Sequence, residues 1–369
     1  MMTSRAKHPR LGDIMDPERN SFGVLRCLMA SLVLISHSYL FYYGTPAAEP
    51  LTSLTGRSLG EHAVQVFFFL SGLLVAQSFD RSRSVFDFAA ARVLRIFPGL
   101  AVCVVLTALV LGAGMSELGP SQYYSNTGVL AYIAKTISLS TGSAPLPGVF
   151  ENLPFGQRVN TSLWTLKYEV ICYVALGLLG LAGLFRANAK GACTLALAIV
   201  SLAVFTGSPA NPDDYGLLDN LRYFALFFAP GAAAYLWRDK LIISGLVLIP
   251  LLALFVVTIG TQFTELASAA FLGYAALWAA SKTFGPLRGA CNRLDLSFGI
   301  YIYAGPIQQA LIETIPGIQP LSIAALAFVS VVPLAILSWV FVEQPSLKLR
   351  PRIRALVSRR PRAPEPMPA

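Results

Sequence analysis

Charged residues are scarce in this chain: they fill 13% of its 369 positions, about half of what a soluble globular protein carries. That shortage excludes an ordinary soluble fold, and the 55% hydrophobic content and mean hydropathy of +0.62 point to lipid instead. The alternation of apolar and polar residues that marks a membrane β-strand is absent, which excludes a barrel and leaves helices as the backbone arrangement that lipid tolerates. Residues 1–21 hold no apolar run and no small-residue cleavage site. The expectation is therefore that no secretory leader is removed and that the first apolar run stays as a helix. The five cysteines (Cys27, Cys103, Cys172, Cys193 and Cys291) have the spacing of neither a disulfide framework nor a zinc site. Four of them fall in apolar runs, as small packing residues do. No internal repeat is visible, so the inverted-repeat signature of many transporters is missing.

Apolar stretches of about 20 residues, the length of helix that crosses a bilayer core, recur along the whole chain. They place ten spans at 24–43, 62–79, 97–113, 163–185, 192–207, 219–237, 241–259, 264–281, 296–314 and 320–342. With the N-terminus in the cytoplasm, 22 lysines and arginines fall inside, only Arg57, Lys135 and Arg158 fall outside, and Arg26, Lys167 and Arg222 lie within spans. Such an asymmetry is what the positive-inside rule produces, and it sets both termini in the cytoplasm. It also accounts for the net charge of +9 without nucleic acid as a partner. Residues 128–140 are apolar but too short to span, and counting them would invert every later loop. They read as an external interfacial or re-entrant helix within the long outer segment 114–162. The expected fold class is thus an all-α membrane protein. It has a cytoplasmic N-terminal tail (1–21), a ten-helix membrane domain (22–345) and a basic, Pro-rich cytoplasmic tail (346–369) against anionic lipid or disordered.

Three constellations carry chemistry. In the first span Arg26 and His37 are eleven residues apart, so both face one side of a helix with about 16 Å between them along its axis. Intramembrane ionisable residues are costly and mark functional sites, although a snorkelling arginine and a hydrogen-bonded structural histidine would give the same letters. In the loop after the second span, Arg92 and Arg95 are three apart and project together. Paired guanidiniums suit phosphate oxygens, as in coenzyme A, while arginines there also serve as topology signals alone. The fourth span opens Ser162-Leu-Trp164-Thr-Leu-Lys167-Tyr-Glu169. Trp164 stands at the depth of an interfacial aromatic anchor, and an ionised Glu169 needs a partner, for which Lys167, His37 and Arg222 are candidates.

These pieces resemble the acyltransferase-3 family of integral membrane acyltransferases. The resemblance is carried from about residue 22 to 345 by Arg26 and His37 with ten residues between and by Phe67-Phe68-Phe69-Leu70-Ser71-Gly72. Arg92-x-x-Arg95-x-x-Pro98, Leu163-Trp164-x-Leu166-x-x-Glu169, Ser297-x-Gly299-Ile300-Tyr301 and Glu343-x-Pro345 continue it in order. It implies O-acylation, with acetyl-CoA or another acyl-CoA as a donor substrate and no permanently bound cofactor or metal. The acceptor is a sugar hydroxyl of exopolysaccharide, lipopolysaccharide or a lipid-linked oligosaccharide. The setting is a bacterial inner membrane, and polysaccharide-assembly proteins are possible partners. Arg26, Arg92 and Arg95 would bind the donor, His37 and Glu169 would act in catalysis, and Trp164, Ser71 and Tyr301 would face substrate. A second family histidine, in S-x-G-I-Y-L-x-H, is replaced here by Ala304, and no hydrolase-like domain follows the last span. Neutral imidazole suits the base that takes a hydroxyl proton. The rival class is a polysaccharide or glycolipid transporter, which would share ten spans but has no need of the Arg26–His37 register.

The charge reading makes a direct prediction for single-cysteine labelling in intact cells. Cysteines near Arg83, Arg288 and Arg359 should react only after permeabilisation, and Ser143→Cys and Asp214→Cys should react without it; labelling of Ser143→Cys only in permeabilised cells would overturn the assignment.

Overall fold

The computed structural model of the protein describes residues 9–141, 144–156, 158–185, 189–202 and 216–358. His8, Ser143, Arg186, Asp214, Arg359, Arg360, Arg362 and the far part of the 192–207 span lie outside the described residues. Among the described residues the fold is helical, with no strand longer than an isolated bridge.

Long helices stand where apolar runs were expected: α1 (Phe22–Tyr43), α2 (Leu59–Asp80) and α3 (Val85–Leu106). After the short helix α4 (Thr127–Ile137) come α5 (Trp164–Leu181), α6 (Lys190–Leu202), α7 (Leu217–Leu236), α8 (Leu248–Thr258) and α9 (Thr264–Ala280). The chain closes with α10 (Pro286–Arg293), α11 (Ser297–Thr314), α12 (Pro320–Ser338) and the basic α13 (Arg350–Ser358). Among the described residues five helical stretches are long and apolar enough to cross a membrane: Phe22–Tyr43, Leu59–Asp80, Val85–Met115, Thr161–Leu181 and Pro320–Ala355. α4, at 11 residues, is too short to do so, and it packs on α3 with Tyr132 buried.

One expectation of extent is corrected. The third helix starts at Val85 rather than near residue 97, because Ser84 caps it by accepting from the Asp87 amide. The basic approach to the span is therefore part of the same rigid helix. α3 runs on through a π turn at Thr107–Leu111, and α12 through another at Trp339–Glu343. Such turns insert one residue into the ladder and often sit at functional sites. The N-terminal segment is likewise no loose tail from residue 9 onward. Leu11, Ile14 and Met15 are buried, and Leu11 N, Gly12 N and Ile243 N bond across to Leu241 O, Arg238 O and Pro9 O.

Polar ties gather the helix ends into two groups. At one end Asp80 of α2 meets Arg238 after α7, Ser21 before α1 donates to the Lys282 carbonyl after α9, and Asp87 of α3 pairs with Arg350 and Arg354 of α13. At the other, Arg57 before α2 pairs with Glu265 of α9, and Gln319 before α12 donates to Tyr42 of α1.

In lipid no hydrophobic force drives helices together, so close backbone approach must do it, and small residues permit that. α2 and α7 interlock reciprocally. A Cβ on Gly72 would strike the Phe228 carbonyl of α7, and one on Gly231 would strike the Phe69 carbonyl of α2. Gly72→Ala and Gly231→Ala should each destabilise the detergent-solubilised protein by about 1–3 kcal/mol or more, as overpacking does. The control Gly114→Ala, where nothing lies within 4 Å, should leave the melting temperature unchanged or slightly raised.

Candidate active site

A pocket with a cavity volume of about 130 Å³ opens among α1, α2, α3, α5 and α11. Arg26, Arg92 and Arg95 line it, together with Ser71, Glu169 and Tyr301, so six of the eight residues singled out in the sequence converge there from five helices. His37 and Trp164 do not line it. Trp164 is 39% exposed and lies against Tyr168 and Phe224, the placement of an interfacial anchor.

The arginines do not stand alone. Asp295, just before α11, accepts from Arg26 at 3.1 Å and from Arg95 at 2.8 Å, and Arg95 also reaches the buried Glu343 at 3.5 Å. Burial pushes the Asp295 carboxyl up, but the Arg26 and Arg95 guanidiniums outweigh it and hold the group down at about 2. Arg92 has no carboxylate partner among the described residues. It donates to Ser78 Oγ at 3.1 Å and lies over the Tyr173 ring. The buried Nε atoms of Arg26 and Arg92 make no hydrogen bond among the described residues. Two guanidiniums with unspent donors in an apolar pocket fit an anionic group such as a phosphate.

The expected partners of Glu169 were wrong. Arg222 pairs with Asp219 on its own helix, and neither Lys167 nor His37 reaches the carboxylate. Glu169 instead accepts from the Tyr173 hydroxyl and from Ser71 Oγ at 3.1 Å. Hydrogen bonds satisfy this carboxylate in apolar surroundings without a formal ion pair.

Glu169 is one rung of a ladder along α5. Residues three and four apart share a helix face, and here Ser162, Thr165, Glu169 and Tyr173 do. Ser162 Oγ meets His37 Nδ1 at 3.3 Å, and Thr165 Oγ1 meets the Tyr301 hydroxyl at 2.7 Å. Glu169 holds Ser71, and Tyr173 lies beneath Arg92. Eleven residues of helix, about 16 Å, thus carry a line of polar side chains from His37 to the arginines. The same separation parts Arg26 from His37 on α1. The Ser162 contact leaves His37 Nε2 without a hydrogen bond among the described residues. Thr165, Tyr173 and Asp295 were not foreseen. The signal for Asp295 was its sign, an acid in a loop that otherwise holds Lys282, Arg288 and Arg293.

No group of three or more His, Cys, Asp or Glu side chains among the described residues could hold a metal ion.

Comparison with known proteins gives the chain a family. The family model described as an acyltransferase domain, acyltransferase-3, matches residues 19–340. The chain is 31% identical over 335 residues to an O-acetyl transferase of Shigella phage Sf6, covering 88% of this chain and 95% of that protein. It is 30% identical over 380 aligned positions to Nodulation protein 10 of Rhizobium leguminosarum bv. viciae, covering 93% of this chain and 96% of the relative. No solved structure matches it. A family match running from before α1 into α12, over the helices that build the pocket, establishes that the chain belongs to the acyltransferase-3 family and is an acyltransferase.

Proposed function

We propose that the protein is an O-acetyltransferase of a bacterial inner membrane that moves an acetyl group from acetyl-CoA to a sugar hydroxyl of a surface or lipid-linked glycan. The observation that carries this reading is the ladder on α5. It joins a pocket of arginines, suited to phosphates, to a histidine about 16 Å away with one ring nitrogen free. A similar protein named as an O-acetyl transferase supports the transferred group.

In this reading Arg92, with Arg26 beside it, holds the donor phosphates at the cytoplasmic end, and the flexible thioester arm extends past Ser71 and Glu169 toward Tyr301 and Thr165. His37 Nε2 takes the proton of the sugar hydroxyl as its oxygen attacks the thioester carbonyl carbon. The C–O bond forms, the C–S bond breaks, and the proton leaves on the coenzyme A thiol. The Ser162 hydroxyl orients the ring through Nδ1, as an acid–base histidine requires. Hydroxyls of Thr165 and Tyr301 are the nearest donors on the ladder for the carbonyl oxygen as it gains charge. Glu169, held by Tyr173 and Ser71, shapes the passage and is not bonded to His37. Trp164 is a membrane anchor in this scheme.

Two measurements test it. His37→Ala should lower acetyl transfer in isolated membranes by about 10²–10⁴-fold, the usual contribution of a general base, while acetyl-CoA still binds. His37→Gln keeps hydrogen bonding without basicity, so near-normal transfer by that variant would make the histidine structural.

Arg95 cannot be removed cleanly, because Glu343 would be left as a buried carboxylate without its ion-pair partner and Asp295 would keep only Arg26. Arg92 can. Arg92→Ala should raise the KM for acetyl-CoA with a smaller change in kcat, because uniform ground-state binding is lost. An unchanged KM would remove phosphate binding from this residue.

A further inference from the structure

The end of the bundle away from the arginines holds a second polar concentration that the steps above do not use. α11 carries Gln308 and Gln309 side by side, both at 0% exposure. Gln308 Nε2 donates to the Leu34 carbonyl at 2.7 Å and to Ser38 Oγ at 2.6 Å, on either side of His37 in α1. Gln309 Nε2 donates to the Arg158 carbonyl at 2.8 Å. Asn160, also buried, donates through Nδ2 to the Ile302 carbonyl at 2.7 Å. A carbonyl can only accept, so these partners fix which way each amide faces. Each of the three side chains therefore turns its NH2 group to the scaffold, Gln308 with two bonds and Gln309 and Asn160 with one each. The oxygens Gln308 Oε1, Gln309 Oε1 and Asn160 Oδ1 are left buried with no partner among the described residues, as is Thr161 Oγ1.

Buried polar atoms without partners are costly and rare, and each calls for an explanation. Here four occur in one junction, where α1, α11 and the segment 158–163 meet around the His37–Ser162 contact. They share one polarity, since three carbonyl oxygens can only accept and the hydroxyl can do so as well. The complementary ligand donates several hydrogen bonds from closely spaced groups, which is the chemistry of a polyhydroxylated ring.

A second, independent feature leads to the same place. The exposed Arg158 guanidinium lies 5.2 Å over the Phe155 ring, Phe155 lies 5.5 Å from the buried Phe41, and Phe41 lies 5.6 Å from the His37 imidazole. This column of rings runs from the surface to the base. Aromatic walls with a few placed polar groups are how small-molecule sites combine affinity and orientation.

From this we infer that the junction is the saccharide subsite of the acyl transfer. Asn160, Thr161, Gln308 and Gln309 accept hydrogen bonds from ring hydroxyls, and Phe155 and Arg158 flank the way in. The inference rests on the acyl-transfer reading and adds to it the residues that read the acceptor.

Thr161→Val is the cleanest probe, because the hydroxyl it removes has no partner among the described residues. The full-length protein in host membranes is given [14C]acetyl-CoA, and label is counted in the surface and lipid-linked glycan fraction. Label should fall about tenfold, the worth of one well-placed hydrogen bond. Acetyl-CoA affinity should be unchanged and the melting temperature unchanged or higher. Thr161→Ser, which restores the hydroxyl, should recover the label. A merely structural hydroxyl cannot give a protein that is equally stable, binds donor normally and fails only toward glycan. Gln309→Met provides a second variant with the same expected split between donor and acceptor. Wild-type labelling in both variants would overturn the subsite, and so would a fall in label accompanied by equal losses of donor binding and melting temperature. Failure of the wild-type protein itself to bind acetyl-CoA would instead sink the proposed transfer from acetyl-CoA, and the subsite with it.

Discussion

Asp295 is the charge on which the pocket depends. Three arginines in an apolar bundle are expensive unless something compensates them, and lipid offers nothing that can. One carboxylate before α11 takes Arg26 from α1 and Arg95 from α3, and Glu343 at the end of α12 backs Arg95 from the other side. Four helices are thereby fixed in register at one end of the bundle. The pairing is uneven: Asp295 and Glu343 take up Arg26 and Arg95, and Arg92, without an ion pair among the described residues, is left with a hydroxyl and an aromatic ring.

Compensation of this kind explains why the two ends of the bundle look so different. The arginine end is held by ion pairs, which are strong in a low dielectric. The histidine end is held by neutral hydrogen bonds from amides to carbonyls. Between them the α5 ladder uses hydroxyls and a hydrogen-bonded carboxylate, groups that line a passage without placing a free charge in its middle.

What the sequence discloses and what it hides divide along the range of the interaction. Helix positions follow from hydropathy, which is local, and Arg26, His37, Arg92 and Arg95 stand out because spacing along one helix sets their common face. Partners across the bundle leave no such mark. Arg95 and Asp295 are 200 positions apart, and Glu169 finds Ser71 over a gap of 98. The choice of Lys167, His37 or Arg222 for Glu169 failed because it considered charges and overlooked hydroxyls, and Tyr173 lies only one turn away on the same helix. The early start of α3 was missed for a related reason: reading Arg92 and Arg95 as part of a loop hid a helix whose cap is Ser84 and whose first turn buries Asp87.

The interlock of α2 with α7 reaches further than its own packing. α7 contributes no side chain to the pocket, yet it sets the depth of α2 through contacts that involve main chain and not rotamers. Ser71 precedes Gly72, so the grip on Glu169 inherits its position from a helix that never meets substrate. Mutational tolerance along α7 should therefore be uneven in a way that distance from the pocket does not describe. Its exposed residues, such as Leu217 and Leu218, are free to drift, whereas Gly231 carries as much constraint as a residue inside the pocket and has no larger neighbour in the genetic code that could replace it.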